Sequence, residues 1–353
     1  MNQQVIADRL AISRATVSRC FTGHAGISPV TRAKVFQLAA ELGYTHMESR
    51  TPSAQKQKEE HRFSVLICSD KEEYLHGGYE SPGEQILAGV SEFAMTNRVR
   101  VDVNMIPPSA EDLKHPSFEA VEGLSKRKNV GVLLIYPFAE KVIEQLLLKF
   151  PVVSLVDQSE HTSMDCVDVD HYMGISTVID HLYAAGHRHI GFYTKAYKVE
   201  ASWSYRRYSA FMEKMARLRL RVAQQKDIIG MFPREVGTVE ESIEKAVRRT
   251  KEGGVTAWVC AADHQAYDLV EGFRAHGLRV PRDVSVTGFD GIKNESSLPT
   301  LTTVKIPFRE IGMTGAERLA SRLRKRFREK RHVYISGNLL EGKTVKTLEK
   351  DAD

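Results

Sequence analysis

From Phe63 onward the chain alternates short apolar runs with segments of helical periodicity, and this alternation narrows the choice of fold. Four apolar runs come first, at Phe63 to Ser69, Val101 to Ile106, Val130 to Tyr136 and Val152 to Val156. Helical patterns separate some of them, as at 85–94 and 142–149. Because parallel strands need a crossover connection, usually a helix, this order predicts a parallel sheet.

A second series of the same kind begins after Asp170. Helical patterns at about 175–185, 205–215 and 265–276 alternate with apolar runs at 189–193, 257–261 and 284–289. The two series predict two doubly wound subdomains. In such sheets a ligand binds beyond the carboxyl ends of the strands, so the cleft between the subdomains is the expected ligand site.

The first 44 residues follow a different pattern, that of three short helices. The spacing from Val5 to Leu10 is helical, and Ser13 is a good N-cap for a second helix ending near Phe21. A third helix is predicted after Ser28 and Pro29, and Gly43 is expected to end it. These signals predict a helix-turn-helix whose second helix presents polar groups to a DNA groove. The alternative is a small helical cap on another domain.

The charge of the chain is informative in its distribution rather than its sum. Fifty Lys and Arg against 45 Asp and Glu give a formal charge of +5, too mild to diagnose nucleic-acid binding. The basic excess concentrates in residues 1–50, with Arg9, Arg14, Arg19, Arg32, Lys34 and Arg50 against Asp8, Glu41 and Glu48. This places positive charge where a phosphate backbone would bind.

Several classes of protein receive no support. Cys20, Cys68, Cys166 and Cys260 lie far apart in apolar stretches, which predicts reduced core thiols. No signal peptide and no membrane span are recognised, so we expect a cytoplasmic protein that does not bind a membrane. No nucleophile elbow, phosphate-binding glycine loop or zinc motif is found, so no catalytic residue, cofactor or metal is predicted.

One acidic cluster invites comparison with a metal site. It consists of Asp165, Asp168, Asp170 and His171. The alternation from Asp165 to Asp170 fits a strand, and no second cluster at metal-binding spacing accompanies it. We therefore interpret it as a solvent-facing acidic edge.

Six motifs together resemble the lactose-repressor family of bacterial transcription regulators. They are Ile12 to Arg19, Ile27 to Arg32, Glu41 to Tyr44, His181 to Phe192, Gly277 to Asp290 and Leu301 to Lys305. The resemblance extends from about Val5 to Thr347. It implies an α/β protein with an N-terminal helix-turn-helix headpiece and two doubly wound parallel-sheet subdomains, like periplasmic binding proteins.

The resemblance also implies the domain boundaries. The headpiece is residues 1–46, the linker or hinge 47–61, and the effector-binding and dimerisation domain 62–348. Its N-terminal subdomain is about 62–169 and 308–330, and its C-terminal subdomain about 170–307 and 331–348. Relatives carry a hinge helix with a leucine that wedges into the minor groove. Here Ser53 takes the leucine's place after Pro52, which predicts a largely irregular hinge; the alternative is a shifted register in which Met47 replaces the leucine.

Within the headpiece, the family's base-reading positions fall on Arg14, Ala15 and Arg19. An arginine can donate two hydrogen bonds to guanine, whereas an alanine offers only a methyl group. An exposed phosphate contact is the alternative for Arg14. The family's phosphate-binding positions fall on five hydroxyl-bearing residues, Ser13, Thr16, Ser18, Ser28 and Thr31.

Within the effector domain, the resemblance implies three polar ligand-binding residues and two apolar ones. They are Asp157, Arg207 and Asp290, with Trp203 and Phe308 as the apolar wall. The alternative for the charged residues is an ion-pair network. Many relatives have Asn-Asp after the strand at 257–261, whereas this chain has Ala262 and Asp263, so their sugar preference is not inherited.

The preferred function is a sequence-specific DNA-binding regulator, most simply a repressor, controlled by a small polar effector such as a sugar. Its expected partners are double-stranded operator DNA, that effector and a second copy of the chain in a homodimer. The polar C-terminal residues after Leu339 do not form the leucine-rich helix of tetrameric relatives. The alternative is a solute-binding protein or a small-molecule enzyme on the same fold.

Overall fold

The computed structural model describes residues 3–21, 24, 26–42, 61–69, 81–127, 129–158, 164–195, 202–220, 225–230, 238–292, 298–324 and 329–348. Gly43 and the hinge residues Met47, Pro52 and Ser53 lie outside the described residues. The chain divides into two compact units, the first comprising residues 1–77, 81–168 and 308–335, the second 78–80, 169–307 and 336–353.

The N-terminal helices belong to the first unit and form the predicted helix-turn-helix. They are α1 (Gln3–Arg9), α2 (Arg14–Phe21) and α3 (Pro29–Glu41). Both predicted caps are confirmed, because the Thr16 amide donates to Ser13 Oγ at 3.0 Å and the Thr31 amide to Ser28 Oγ at 3.0 Å. Each cap satisfies a backbone donor that the helix itself leaves unpaired.

The remainder of the first unit is a six-stranded sheet covered by helices. Numbered in chain order over both units, its elements are β1 (Arg62–Cys68), α4 (Pro82–Asn97), β2 (Arg100–Ile106), α5 (Glu119–Glu122), β3 (Val130–Ile135), α6 (Glu140–Leu147), β4 (Val152–Leu155), β5 (Asp165–Val169), α11 (Phe308–Leu323) and β11 (His332–Ile335). The sheet order is β2-β1-β3-β4-β5-β11, and β1 to β5 are parallel.

The second unit repeats this topology. Its elements are α7 (His171–Ala184), β6 (Ile190–Tyr193), α8 (Ser202–Arg217), β7 (Ile228–Ile229), α9 (Val239–Lys251), β8 (Ala257–Cys260), α10 (Asp263–Ala275), β9 (Ser285–Asp290), β10 (Thr302–Lys305) and β12 (Asn338–Leu340). The sheet order is β7-β6-β8-β9-β10-β12, parallel except for β12. Two doubly wound sheets are therefore confirmed.

The C-terminal boundary differs from the expected one. Strand β11 pairs with β5 in the first sheet, so the chain returns to the second unit after Ile335 rather than at residue 331.

In the first unit, α4 and α11 pack with their backbones in close contact. A Cβ on Gly89 would lie 1.9 Å from the Arg309 carbonyl oxygen, and one on Gly312 would lie 2.0 Å from that of Ile86.

The cores lie between sheet and helices in each unit. The first is built from aliphatic strand residues such as Val132 and Leu134 with Phe118, and the second surrounds Trp258 and Phe273. All four cysteines are buried and none forms a disulfide bond, as predicted. Within the described residues, no helix is long and apolar enough to cross a membrane.

Candidate DNA-binding helix and effector site

Helix α2 has one buried face and one exposed face. Val17 and Cys20 are fully buried against the other N-terminal helices, whereas Arg14, Ala15 and Arg19 are exposed. Residues at i, i+1 and i+5 share one side of a helix, so the three predicted base-reading residues project together from α2. Side chains with this arrangement can reach base edges in a major groove.

Four of the five predicted phosphate-binding residues, all except Ser18, lie at the amino ends of α2 and α3. Ser13 Oγ lies 2.9 Å from Thr16 Oγ1, and Ser28 Oγ lies 2.8 Å from Thr31 Oγ1. Ser18 is half-buried on α2. The hydroxyls of the two pairs thus lie beside the first backbone amides of each helix, a position that favours an anion.

Arg32 is one of the basic N-terminal residues expected near a phosphate backbone, and the structure places it elsewhere. Its side chain is buried, and its Nη1 and Nη2 donate to the carbonyl oxygens of Cys20 and His24 at 3.2 and 2.8 Å. Burial lowers its pKa and raises that of the neighbouring Cys20 thiol. Arg32 therefore fixes the carboxyl end of α2 against α3 and is not available to phosphate.

Arg207 is the centre of a buried cluster at the carboxyl edge of the second sheet. Its guanidinium carbon lies over two aromatic rings, 4.7 Å from the centroid of Trp203 and 4.0 Å from that of Phe289. Nη1 donates to Asp290 Oδ1 at 3.2 Å and also to the Ala261 carbonyl oxygen. The structure therefore brings together three predicted effector-binding residues, Trp203, Arg207 and Asp290.

A second carboxylate, Asp263, belongs to the same cluster. It accepts from Thr303 Oγ1 at 2.6 Å and from the Ile292 amide at 2.7 Å. Burial, reinforced by the charge of Asp290, raises the pKa of Asp263 to about 7. Burial also raises the pKa of Asp290 to about 6, against the opposing effect of Arg207.

The backbone around these carboxylates is constrained. Asp290 has a φ of 139°, a region that residues other than glycine rarely adopt. A Cβ on Gly288 would lie only 2.0 Å from Asp263 Oδ1, so the carboxylate needs a glycine beside it. Such strain is common at binding sites because surrounding structure holds it in place.

The other two predicted effector residues, Asp157 and Phe308, are buried residues of the first unit. Asp157 follows β4, and its carbonyl oxygen accepts from Ser154 Oγ at 2.7 Å. The preceding Val156 has a φ of 59°, which is strained for a β-branched residue. Phe308 is the first residue of α11.

Sequence reasoning missed two members of the Arg207 cluster. His171, considered only as a metal ligand, accepts a hydrogen bond at Nδ1 from Arg207 Nε at 3.3 Å. Asp263, mentioned only as the residue after Ala262, where relatives have asparagine, is the buried carboxylate described above. Its place at the first turn after a strand was the available signal, because such turns line the ligand edge of doubly wound sheets.

The acidic cluster around Asp165 is not solvent-facing, and that prediction was wrong. Asp165 and Asp168 are completely buried. Asp165 Oδ1 accepts from Arg318 Nε at 2.7 Å and from the Arg331 amide at 2.8 Å. The acidic edge is internal because β11 covers it: β5 lies between β4 and β11 in the sheet.

The comparisons with known proteins agree with this architecture. The family model for bacterial regulatory proteins of the lacI family matches residues 4–46, and the periplasmic binding protein-like domain matches residues 179–345. The lactose operon repressor of Escherichia coli (strain K12) is 27% identical over 325 residues, covering 89% of this chain and 82% of the relative. The transcriptional repressor MelR of Bacillus subtilis (strain 168) is 25% identical, covering 90% of each.

Solved structures share the fold over nearly the whole chain. A CelR–cellobiose complex has a TM-score of 0.65 at 22% identity, covering 98% of this chain and 99% of that one. A lac repressor dimer bound to operator and the anti-inducer ONPF has a TM-score of 0.65 at 24% identity, covering 97% and 98%. These two likenesses show that the chain has the fold of these structures.

This chain belongs to the lactose-repressor family.

Proposed function

We propose that the protein is a repressor that binds operator DNA through α2 and is controlled by a small polar effector. The observation that carries the DNA-binding part is the exposed face formed by Arg14, Ala15 and Arg19. Arg14 and Arg19 would donate to guanine, and Ala15 would contact a thymine methyl group. The curated relatives, repressors by name, support this direction of control.

The phosphate contacts and the oligomeric state complete the DNA-binding proposal. Ser13, Thr16, Ser18, Ser28 and Thr31 would hold the backbone and set the register of α2. One headpiece makes a small interface, so we propose a homodimer that binds two half-sites related by two-fold symmetry. The dimeric state of the operator-bound lac repressor supports this. Its DNA target would place the protein in the cytoplasm.

The effector would bind at the Arg207 cluster. Among the described residues, Nη2 of Arg207 donates no hydrogen bond, so it remains available to a ligand oxygen beside Trp203 and Asp290. A carboxylate accepts hydroxyl hydrogens and a guanidinium donates in a fixed geometry, a combination suited to a polyol. Asp157 and Phe308 are proposed from the family resemblance alone. A cellobiose-bound relative supports a sugar.

The alternative, a solute-binding protein or an enzyme on this fold, has no use for an exposed base-reading face on α2. Fold alone does not separate these functions, whereas the headpiece does.

A competition assay tests the DNA-binding assignment. Operators would first be selected from random-sequence duplexes with the full chain. Arg19→Ala should then weaken the best operator by about 1–3 kcal/mol and relax preference at one base pair, because one bidentate base contact is lost. Thr31→Ala is the matched control, expected to weaken all sequences alike. An unchanged sequence preference in Arg19→Ala would show that α2 does not read the bases as proposed.

Thermal shift with cellobiose, glucose and sucrose tests the effector site. A sugar that binds the folded protein should raise its melting temperature, and Arg207→Lys should abolish the rise because a lysine lacks the guanidinium geometry. Arg279→Lys is the control, since Arg279 is an exposed partner of Asp283 in the same unit. A rise that survives in Arg207→Lys would place the sugar elsewhere.

A further inference from the structure

The orientation of Arg207 depends on more than its carboxylate partner. Nη1 donates to the Ala261 carbonyl oxygen and to Asp290, and the guanidinium carbon lies over the rings of Trp203 and Phe289. A further hydrogen bond, donated by Nε, also constrains the orientation of the guanidinium. The acceptor at Nε is His171 Nδ1, 3.3 Å away.

His171 is placed for this contact by its position in α7. It is the first residue of the helix, after the N-cap Asp170, whose side chain accepts from the Met173 amide at 2.9 Å. Its ring is buried, with its centroid 6.1 Å from that of Phe289. The same phenylalanine therefore contacts both the imidazole and the guanidinium.

The hydrogen bond fixes the protonation state of His171. A ring nitrogen that accepts a hydrogen bond carries no proton, so the imidazole is neutral and its proton is on Nε2. In an imidazolium, Nδ1 would carry a proton and could not accept from Arg207, and its positive charge would repel the guanidinium. The positive end of α7, a helix of 14 residues, also disfavours an imidazolium.

We infer that His171 is a positioning residue of the effector site, which holds Arg207 in its ligand-binding orientation as a neutral hydrogen-bond acceptor. This inference deepens the proposed function, since it concerns the regulation of the same site. It implies that the orientation is lost when His171 is protonated, so the site is acid-sensitive.

The other charges around α7 define what else titrates there. Helix α7 packs against α8, β8, β9, β10 and β12. On these elements, Arg207 and Asp290 lie at the His171 end, with Asp263 and His264 beside them on α10. Lys214 pairs with Asp180 further along α7, and Lys305 is exposed. Any test must therefore separate His171 from the two carboxylates.

Tryptophan fluorescence gives such a test without any ligand. The chain has two tryptophans, of which Trp258 is fully buried and Trp203 stacks on Arg207. The share of emission from Trp203 is obtained by comparison with Trp203→Phe. Two variants then separate the hydrogen-bond acceptor of His171 from its ring. His171→Asn keeps an acceptor where Nδ1 lies, and His171→Phe keeps a ring but has no acceptor.

Three results are expected for the Trp203 emission of the wild type and the two His171 variants. Near neutral pH, His171→Asn should retain the wild-type Trp203 emission and His171→Phe should not. On acidification from about pH 8 to about pH 5, the wild type should show a step that is absent in His171→Asn, because only the imidazole titrates away. Steps due to Asp263 and Asp290 persist in both proteins and cancel in the difference. Identical profiles for wild type and His171→Asn would overturn the inference, even where His171→Phe fails to fold.

Sugar binding separates this inference from the proposed function. With a sugar that shifts the melting temperature of the wild type, His171→Phe should weaken affinity by about tenfold or more, and His171→Asn should retain it, because a hydrogen bond to a charged group is lost only in the first. Equal affinity in both variants would contradict a positioning role. If no sugar binds the wild type while the fluorescence pattern holds, the proposed effector fails and the positioning of Arg207 by His171 stands.

Discussion

The two units each bury a carboxylate cluster, and the clusters differ in charge balance. In the first unit Asp165 is flanked by two guanidiniums, with Arg318 Nε at 2.7 Å and Arg322 Nε at 3.3 Å. In the second, Asp263 and Asp290 share the neighbourhood of one guanidinium, that of Arg207. One cluster has an excess of positive groups and the other an excess of carboxylates.

The clusters also lie at opposite ends of their strands. Asp165 is the first residue of β5, whereas Asp290 is the last residue of β9 and Asp263 directly follows the turn after β8. Ligands of doubly wound sheets bind at the carboxyl ends of strands. The carboxylate at the amino end, Asp165, forms ion pairs with two guanidiniums, whereas the cluster at the carboxyl end has raised carboxyl pKa values and, among the described residues, a guanidinium nitrogen that donates no hydrogen bond.

This difference suggests how to distinguish structural from functional buried charge. Buried charges whose partners are all internal are typical of structural networks. Buried groups with shifted pKa values and incomplete compensation are more typical of functional sites. On this criterion the Asp165 cluster stabilises the first unit, and the Arg207 cluster is the candidate for binding.

The largest expected effect tests the structural role of Asp165. Asp165→Ala leaves Arg318 buried without its carboxylate, so we expect the free energy of unfolding to fall by about 3–5 kcal/mol. Urea denaturation measures it. Glu92→Gln is the control, because the Glu92–Arg309 ion pair is exposed and should contribute at most about 1 kcal/mol. Similar small losses in both variants would show that the Asp165 cluster is not structural.

An intermediate effect tests the excess carboxylate in the second unit. The folded Asp263 carboxyl has a pKa of about 7, above its ordinary value, so the folded state binds more protons between these values. Stability from this group therefore falls as pH rises from about 4 to about 7. Asp263→Asn removes that dependence. Its stability relative to wild type should improve by about 3 kcal/mol across the window, since one pKa unit is worth about 1.4 kcal/mol, the pKa is raised by about three units, and titration is incomplete at both ends of the window.

Denaturation at several pH values gives this difference, whatever constant cost the amide adds. His187, whose pKa burial lowers to about 4, has the opposite pH dependence. It is present in both proteins and cancels. A flat difference between Asp263→Asn and wild type would mean that the buried pair carries no excess negative charge.

The same comparison shows what sequence alone can predict. The strands were predictable because buried parallel strands are continuous apolar runs, as in Val130–Ile135. The caps at Ser13 and Ser28 were predictable because they depend only on neighbours in sequence. Trp203, Arg207 and Asp290 were brought together by family resemblance, which carries spatial information that periodicity lacks.

The failures share one physical feature, which is a pairing that no local sequence pattern records. Asp165 was predicted to be an exposed polar residue of a strand, because its partner Arg318 is separated from it by 153 residues in the sequence. Arg32 was predicted to be a surface cation. Its acceptors are backbone carbonyl oxygens, which every residue has, so no residue type in the sequence marks them. His171 and Arg207 lie 36 residues apart on two helices, and no local pattern joins them.

The smallest expected effect sharpens the account of charge balance in the first unit. Arg322 retains 22% of its side-chain exposure, and Asp165 keeps Arg318 and the Arg331 amide without it. Arg322→Gln should therefore cost only about 1 kcal/mol, as expected for a partly solvated ion pair. The cost should vanish in an Asp165→Asn background, because a double-mutant cycle removes effects that act through the shared carboxylate. If the cost persists there, Arg322 stabilises the unit through its packing. If Arg322→Gln lowers the free energy of unfolding as much as the loss of Asp165 does, both guanidiniums are needed to stabilise the cluster and neither is in excess.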